Sequence, residues 1–262
     1  MADVTLTYKG DTIAELSESG SKTIETAGKY CEADILLEYK KSGAAIQHGL
    51  EILTFDANGL PATAKIHGQL TPREFYYFWY NLNKRVTVEL DADVDHIPAF
   101  AFYQASIGID QNSLNRIKTA DESAFACLAS TSINLDSETL YLPEFTGEAS
   151  TENQCLNRFK NSVKQYYKKI HCPKMQKIGQ YDFQDTKTPS WEREIGSIGY
   201  PVTTVKTRPF QYTAVAGTAT IFINPSDLST ISAAVEANVT AGVVTFIYKS
   251  ATTGETLQTN VR

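Results

Sequence analysis

The sequence predicts an α/β solenoid, in which short strand-and-return coils stack and share one apolar spine. Three observations predict it. Phenylalanines recur behind an isoleucine or valine: Ile97 precedes Phe102, Ile117 precedes Phe125, Ile178 precedes Phe183 and Val205 precedes Phe210, with a poorer copy centred on Phe75. The intervals from Phe75 onward are 27, 23, 58 and 27 residues. Three of them match one short solenoid coil, and the fourth is either a double interval or one with an insertion. Second, TVEL at 87–90 and TSINL at 131–135 alternate with period two, which suits a sheet with one face inward. Third, GTATIFINPSDL carries an alternating strand into a proline and then a helix. One coil has a single apolar edge that it cannot bury alone, and stacking makes that edge a continuous core.

Residues 1–40 read as a separate small β module of attachment or capping type. DVTLTYKG puts Val4, Leu6 and Tyr8 on one face, and DILLEY does the same for Ile35, Leu37 and Tyr39. About four short antiparallel strands result, too few to hold much core of their own. KKSGAAIQHG, at 40–49, is a linker by composition. The solenoid is expected over 50–225. Within it, Thr71 to Glu74 form a capping box with Pro72 at the first helical position. Phe75, Phe78, Trp79 and Leu82 then form the inward stripe of a short helix, leaving Tyr76, Tyr77 and Tyr80 nearer the surface. Two readings stand for those tyrosines: packing against the first module, or contact with a partner or sugar.

Residues 136–170 are expected to interrupt the repeat. Thr151 with Gln154 is a second capping signal, and Leu156, Phe159, Val163, Tyr166 and Ile170 follow a helical period. The opposite face is basic: Arg158, Lys160, Lys164, Lys168, Lys169, Lys174 and Lys177 occur with no acid among them. That stripe fits a solvated face, an acidic protein partner, or an anionic polymer. Residues 188–199 read as a loop between coils. From 226 onward a helix with Leu228, Ile231 and Val235 on one side, capped by Ser226, leads to a β-hairpin that caps the stack or pairs with another chain.

Two stretches resemble known families. Ile97 with Ala101 and Phe102, Ile117 with Ala124, Phe125 and Cys127, and Ile178-Gly179 with Phe183 resemble the BspA-type leucine-rich repeat, an irregular leucine-rich-repeat solenoid; the resemblance spans about 64–230. Asp182 and Pro209 depart from that family's small residue before Phe. The family occurs in bacterial surface proteins and in proteins encoded by phages and prophages. AELSESG followed by TAGKYCEADI, above all Thr26 to Tyr30 and then Asp34-Ile35, resembles a module at the start of tail-associated proteins of phages of Gram-positive bacteria.

Whole-chain properties bound the rest. With 24 Lys and Arg against 30 Asp and Glu, the net charge of −6 argues against general nucleic-acid binding. No apolar run is long enough to cross a membrane, and MADVTLTYKG lacks the layout of a secretion signal. Cys31, Cys127, Cys155 and Cys172 are scattered and read as buried thiols. Asp91, Asp93 and Asp95 alternate on what reads as an extended segment, where a calcium site or, better, solvated carboxylates are expected. No catalytic motif stands out, so no enzyme activity, cofactor or metal is expected. Resemblance and composition together imply a non-enzymatic virion component, assembled in the host cytoplasm, at the baseplate or on a fibre of a phage-type tail. Its expected partners are other tail proteins, a host-surface glycan or protein, and further copies of itself, with Tyr76, Tyr77, Tyr80, Arg158, Lys160, Lys164 and Lys168 as candidate contacts. A bacterial surface adhesin and a carbohydrate-active enzyme are the alternatives.

Overall fold

The computed structural model describes residues 4–8, 11–16, 19–24, 35–40, 49–55, 61–70, 86–103, 107–126, 139–160, 168–184, 186, 190–213, 215–240 and 242–262. Strands β1 (Val4–Tyr8) and β2 (Asp11–Leu16) form one antiparallel pair, and β3 (Ser19–Ile24) and β4 (Ile35–Lys40) form another. β5 (Gly49–Phe55) runs antiparallel to β6 (Pro61–His67), and from β6 onward the pairing becomes parallel. Parallel neighbours require a crossover between them, and here each crossover is one coil.

β6 pairs with β7 (Val86–Leu90), and β7 with β9 (Ile107–Ile109), while β8 (His96–Ile97) pairs with β10 (Thr119–Ala120) on a second side of the coil. The pattern resumes in a six-stranded sheet of β11 (Thr139–Tyr141), β12 (Lys169–Cys172), β14 (Trp191–Ile195), β16 (Gly217–Ile223), β17 (Val244–Ser250) and β18 (Thr256–Val261), in that order. All its neighbours are parallel except the last pair. On the second side, β13 (Lys177–Ile178) pairs with β15 (Thr204–Val205). From β6 onward the described residues thus form a stack of β-coils. Among the described residues the α component is two short helices, α1 (Gln111–Leu114) and α2 (Leu228–Val235).

Three ladders fill the stack. On the front sheet, register places Leu140, Ile170, Arg193, Ala219 and Phe246 side by side, all buried. At the next corner, backbone bonds run from Lys118 N to Asp95 O, Thr146 N to Lys118 O, Gln176 N to Thr146 O and Thr203 N to Gln176 O. The residue before each step, Val94, Ile117, Phe145, Met175 and Val202, is fully buried. The third ladder is the aromatic spine. Phe102 N bonds Ala124 O, Phe125 N bonds Arg158 O, Phe159 N bonds Asp182 O and Phe183 N bonds Pro209 O, so Phe102, Phe125, Phe159, Phe183 and Phe210 occupy one position in successive coils. Ring centroids lie 5.6 Å apart for Phe125–Phe159, 5.5 Å for Phe159–Phe183 and 5.0 Å for Phe183–Phe210, each stacked. Each such pair contributes about 0.5–1.5 kcal/mol beyond its area burial.

Phe159 corrects two expectations. The 58-residue interval is two coils, of 34 and 24 residues, so 139–160 is a member of the stack and not an interruption. The helix expected from Leu156 to Ile170 is absent at both described ends. Leu156 bridges Gln180, Asn157 has φ +54°, and Lys169 and Ile170 belong to β12. Inter-coil backbone bonds outweigh a helical period that this stretch has by coincidence. Thr151 precedes only a 3-10 turn (Glu152–Gln154) and makes no side-chain cap.

The turn into the spine has a constant geometry. Phe100, Ser123, Asn157, Tyr181 and Arg208, each two residues before a spine phenylalanine, have φ between +54° and +60°. Left-handed backbone is unfavourable for such side chains. Bonds from Phe100 N to Glu122 O, Ser123 N to Leu156 O and Asn157 N to Gln180 O hold it in place.

The residue just before the phenylalanine is Ala101, Ala124, Arg158, Asp182 and Pro209 in turn. Two coils therefore replace a small residue with opposite charges that meet directly, both fully buried. Arg158 Nε donates to Asp182 Oδ1 at 3.0 Å and a terminal nitrogen to Oδ2 at 2.5 Å. The guanidinium also donates to Gly147 O at 2.6 Å and Lys177 O at 3.3 Å, and Gly179 N donates to Asp182 at 2.6 Å. A Cβ on Gly147 would lie 2.0 Å from Lys177 O, so only glycine fits there.

The stretch at 188–199, expected as a loop, instead contains β14 at the centre of the sheet, with Trp191 fully buried. At the far end, Ile231 and Val235 of α2 are buried and Leu228 packs on the core, as their spacing predicts. Ser226 does not cap that helix: it lies in a 3-10 turn (Pro225–Asp227) and donates to Asp227 Oδ1. Glu236, at the end of α2, ties the helix to the hairpin. It accepts from Tyr248 Oη at 3.0 Å, Asn260 Nδ2 at 2.5 Å and Arg262 Nε at 2.6 Å.

Candidate functional site

The expected basic stripe is not one surface. Arg158 is buried in the pair with Asp182. Burial lowers its pKa, but the Asp182 charge and hydrogen bonds outweigh this and raise it, so the guanidinium stays charged and serves the fold. The lysines diverge because strand alternation and coil turns send them to different sides. Lys169 meets Glu194 at 3.2 Å and Glu192 at 3.8 Å on the front sheet. Lys174 meets Glu144 at 2.7 Å at a turn, where that hydrogen bond raises its pKa. Lys177 meets Glu152 at 2.7 Å and Glu148 at 3.1 Å on the second side. Each of these acids lies on a neighbouring coil. Lys160 and Lys168 are half-buried. Lys164 and the aromatic set Tyr76, Tyr77 and Tyr80 lie outside the described residues.

The alternating aspartates also separate. Residues 91–95 turn rather than extend. Asp91 accepts from Gly68 N at 2.8 Å and faces Lys65 and His67, Asp93 accepts from Gln69 Nε2 at 3.0 Å, and Asp95 pairs with Lys118 at 3.0 Å. Among the described residues no three His, Cys, Asp or Glu side chains are placed to hold a metal. Cys155 and Cys172 are buried free thiols; burial pushes Cys155 up to about 11 and Cys172 higher still. Both sulfurs are therefore poor nucleophiles. No described helix is long and apolar enough to cross a membrane.

The structure does bring together a set that sequence reading passed over. Alternation sends every second residue of the front strands outward, and parallel register aligns them across the sheet. One row is Tyr141, His171, Glu194, Thr220 and Ile247, and the row beside it is Thr139, Lys169, Glu192, Thr218 and Thr245. The rings of Tyr141 and His171 lie 5.0 Å apart, and His171 Nε2 is 3.5 Å from Glu194. Burial lowers the His171 pKa, Glu194 opposes this and Lys169 reinforces it; the net direction is downward, so the ring is neutral at pH 7. Lys169, Glu192, Glu194, Thr218 and Thr220 line a depression of about 210 Å³. Beneath it, Arg193 is buried, donates to Lys168 O and Glu192 O, and lies over the Trp191 ring at 5.2 Å; burial brings it down to about 9. Gly217 permits this packing, since a Cβ there would fall 2.2 Å from the Trp191 indole. The alternation in WEREI and GTATIFI was the available signal for this face; its alignment needed the register.

Comparison of the chain with protein-family models, with curated proteins and with solved structures gives no match.

Proposed function

We propose that the chain is a non-enzymatic structural or recognition component of a phage or phage-like tail, positioned at the baseplate or on a fibre, and that its coils are an irregular BspA-type leucine-rich-repeat array of α/β class. The observation that carries the reading is the outward face of the front sheet: rows of polar and aromatic side chains in register over five parallel strands, each at least partly open to solvent. Such a face is built to be laid against another surface. The tail assignment rests on the resemblance of AELSESG at 14–20 and TAGKYCEADI at 26–35 to tail-protein modules. Co-purification of the chain with the products of neighbouring genes, followed by electron microscopy of particles tagged at this protein, tests it. Density at the tail tip supports the proposal. A tagged chain found only on a bacterial cell surface would favour an adhesin and overturn it.

A further inference from the structure

We propose that the front-sheet face from Tyr141 to Ile247 binds a neutral polysaccharide lying across the strands; this rests on the recognition role above and names the ligand class. The charge pattern comes first. Lys169 sits against both Glu192 and Glu194, and Lys249 on the same sheet lies over the Phe222 ring. These two lysines and two glutamates cancel, and His171 is neutral at pH 7. A polyanion or a polycation would have to break the Lys169 ion pairs or lift Lys249 off the Phe222 ring to gain pairs of its own, so the face favours neither.

What the face does offer is hydrogen bonding and an apolar step. The carboxylates are pinned by Lys169 yet partly open, with Glu192 57% and Glu194 34% exposed at the side chain, and so accept from hydroxyls while Lys169 donates. Thr218, Thr220 and Thr245 add hydroxyls that both donate and accept. Tyr141 and His171 form an aromatic edge at one end of the row, and Ile247 closes the other. A sugar ring presents the matching surface: hydroxyls around its rim and an apolar C–H face. The row spans four inter-strand steps, about 19 Å, which favours a chain of sugars over a single one.

The test uses the full chain. Neutral hexasaccharides of glucose and of N-acetylglucosamine are titrated against it, with a sulfated hexasaccharide as the charged counterpart, and amide shifts of Thr218 and Thr220 are followed. At least one neutral probe should saturate, with a Kd that changes less than about threefold between about 0.05 M and 0.5 M salt. Tyr141→Ala and Thr220→Val should each weaken binding roughly tenfold, about 1.4 kcal/mol. Thr207→Ala, on an exposed turn away from this sheet, should leave it unchanged. Saturation by neither neutral probe, stronger and salt-sensitive binding of the sulfated one, or binding indifferent to Tyr141→Ala and Thr220→Val overturns the inference. A chain that co-purifies with tail proteins but binds no oligosaccharide sinks this inference alone; one that does neither sinks both.

Discussion

Replacing Asp182 with alanine probes the stack where its interior is least typical. Both members of the Arg158–Asp182 pair are fully buried, and the carboxylate is bonded by the Arg158 side chain and by the amides of Arg158 and Gly179. Asp182→Ala leaves a guanidinium enclosed with no opposite charge, and breaking such a pair from one side costs about 3–5 kcal/mol. At roughly 2–4 °C per kcal/mol for a chain of this size, Tm should fall by about 6–20 °C. Arg158→Ala should cost a comparable amount, because it strands the carboxylate and frees Gly147 O. The double variant restores what Ala101 and Ala124 already do at this position in earlier coils. It should therefore be less damaging than the two single changes added together, with a coupling of roughly 2–3 kcal/mol. Urea titration followed by circular dichroism and tryptophan emission measures all three. A loss under about 1 kcal/mol for Asp182→Ala, or strict additivity in the double variant, would refute the claim that the pair holds these coils together.

Other outcomes follow from the same structure. Gly217→Ala drives a methyl into the Trp191 indole and should destabilise by about 1–3 kcal/mol with a shift in tryptophan emission, read by urea titration. Cys155 and Cys172 should resist iodoacetamide in the native protein and react only in denaturant; peptide mass mapping resolves each site. The acid limb of stability should depend on Asp91. Burial alone would raise its carboxyl, but the Gly68 amide, Lys65 and His67 prevail and hold it below its ordinary 3.8. A depressed carboxylate stabilises the fold above its unfolded pKa and loses that contribution as pH falls through the folded value. Asp91→Asn should therefore be less stable than the parent at pH 6 and should lose less on acidification below about 4, measured as urea midpoint against pH.

The spine was legible because phenylalanine marked most coils at 23 to 27 residues. Phe159 escaped because Leu156, Phe159 and Val163 also fit a helical spacing, and only pairing with Gln180 and Asp182 distinguishes the two. The turns before the spine gave no local signal: their left-handed residues are Phe100, Ser123, Asn157, Tyr181 and Arg208, none a glycine. β14 was hidden by Arg193, a charged residue at an inward position between Trp191 and Ile195. Asp182 stood out as a departure from the small residue before Phe. Its meaning emerged only when Arg158 proved to hold the same position one coil earlier. The front face was invisible as a unit, since Tyr141, His171, Glu194 and Thr220 are separated by 30, 23 and 26 residues and meet only through register.

Ring-to-ring contacts within the spine test the stacked-coil account most directly. Phenylalanine-labelled protein, with Phe125, Phe159, Phe183 and Phe210 assigned by single Phe→Leu variants, should give nuclear Overhauser contacts for the pairs 125–159, 159–183 and 183–210, whose centroids lie 5.0–5.6 Å apart. Phe125 and Phe210, three steps apart, should show none. Missing neighbour contacts, or a direct contact between Phe125 and Phe210, would contradict a one-dimensional stack.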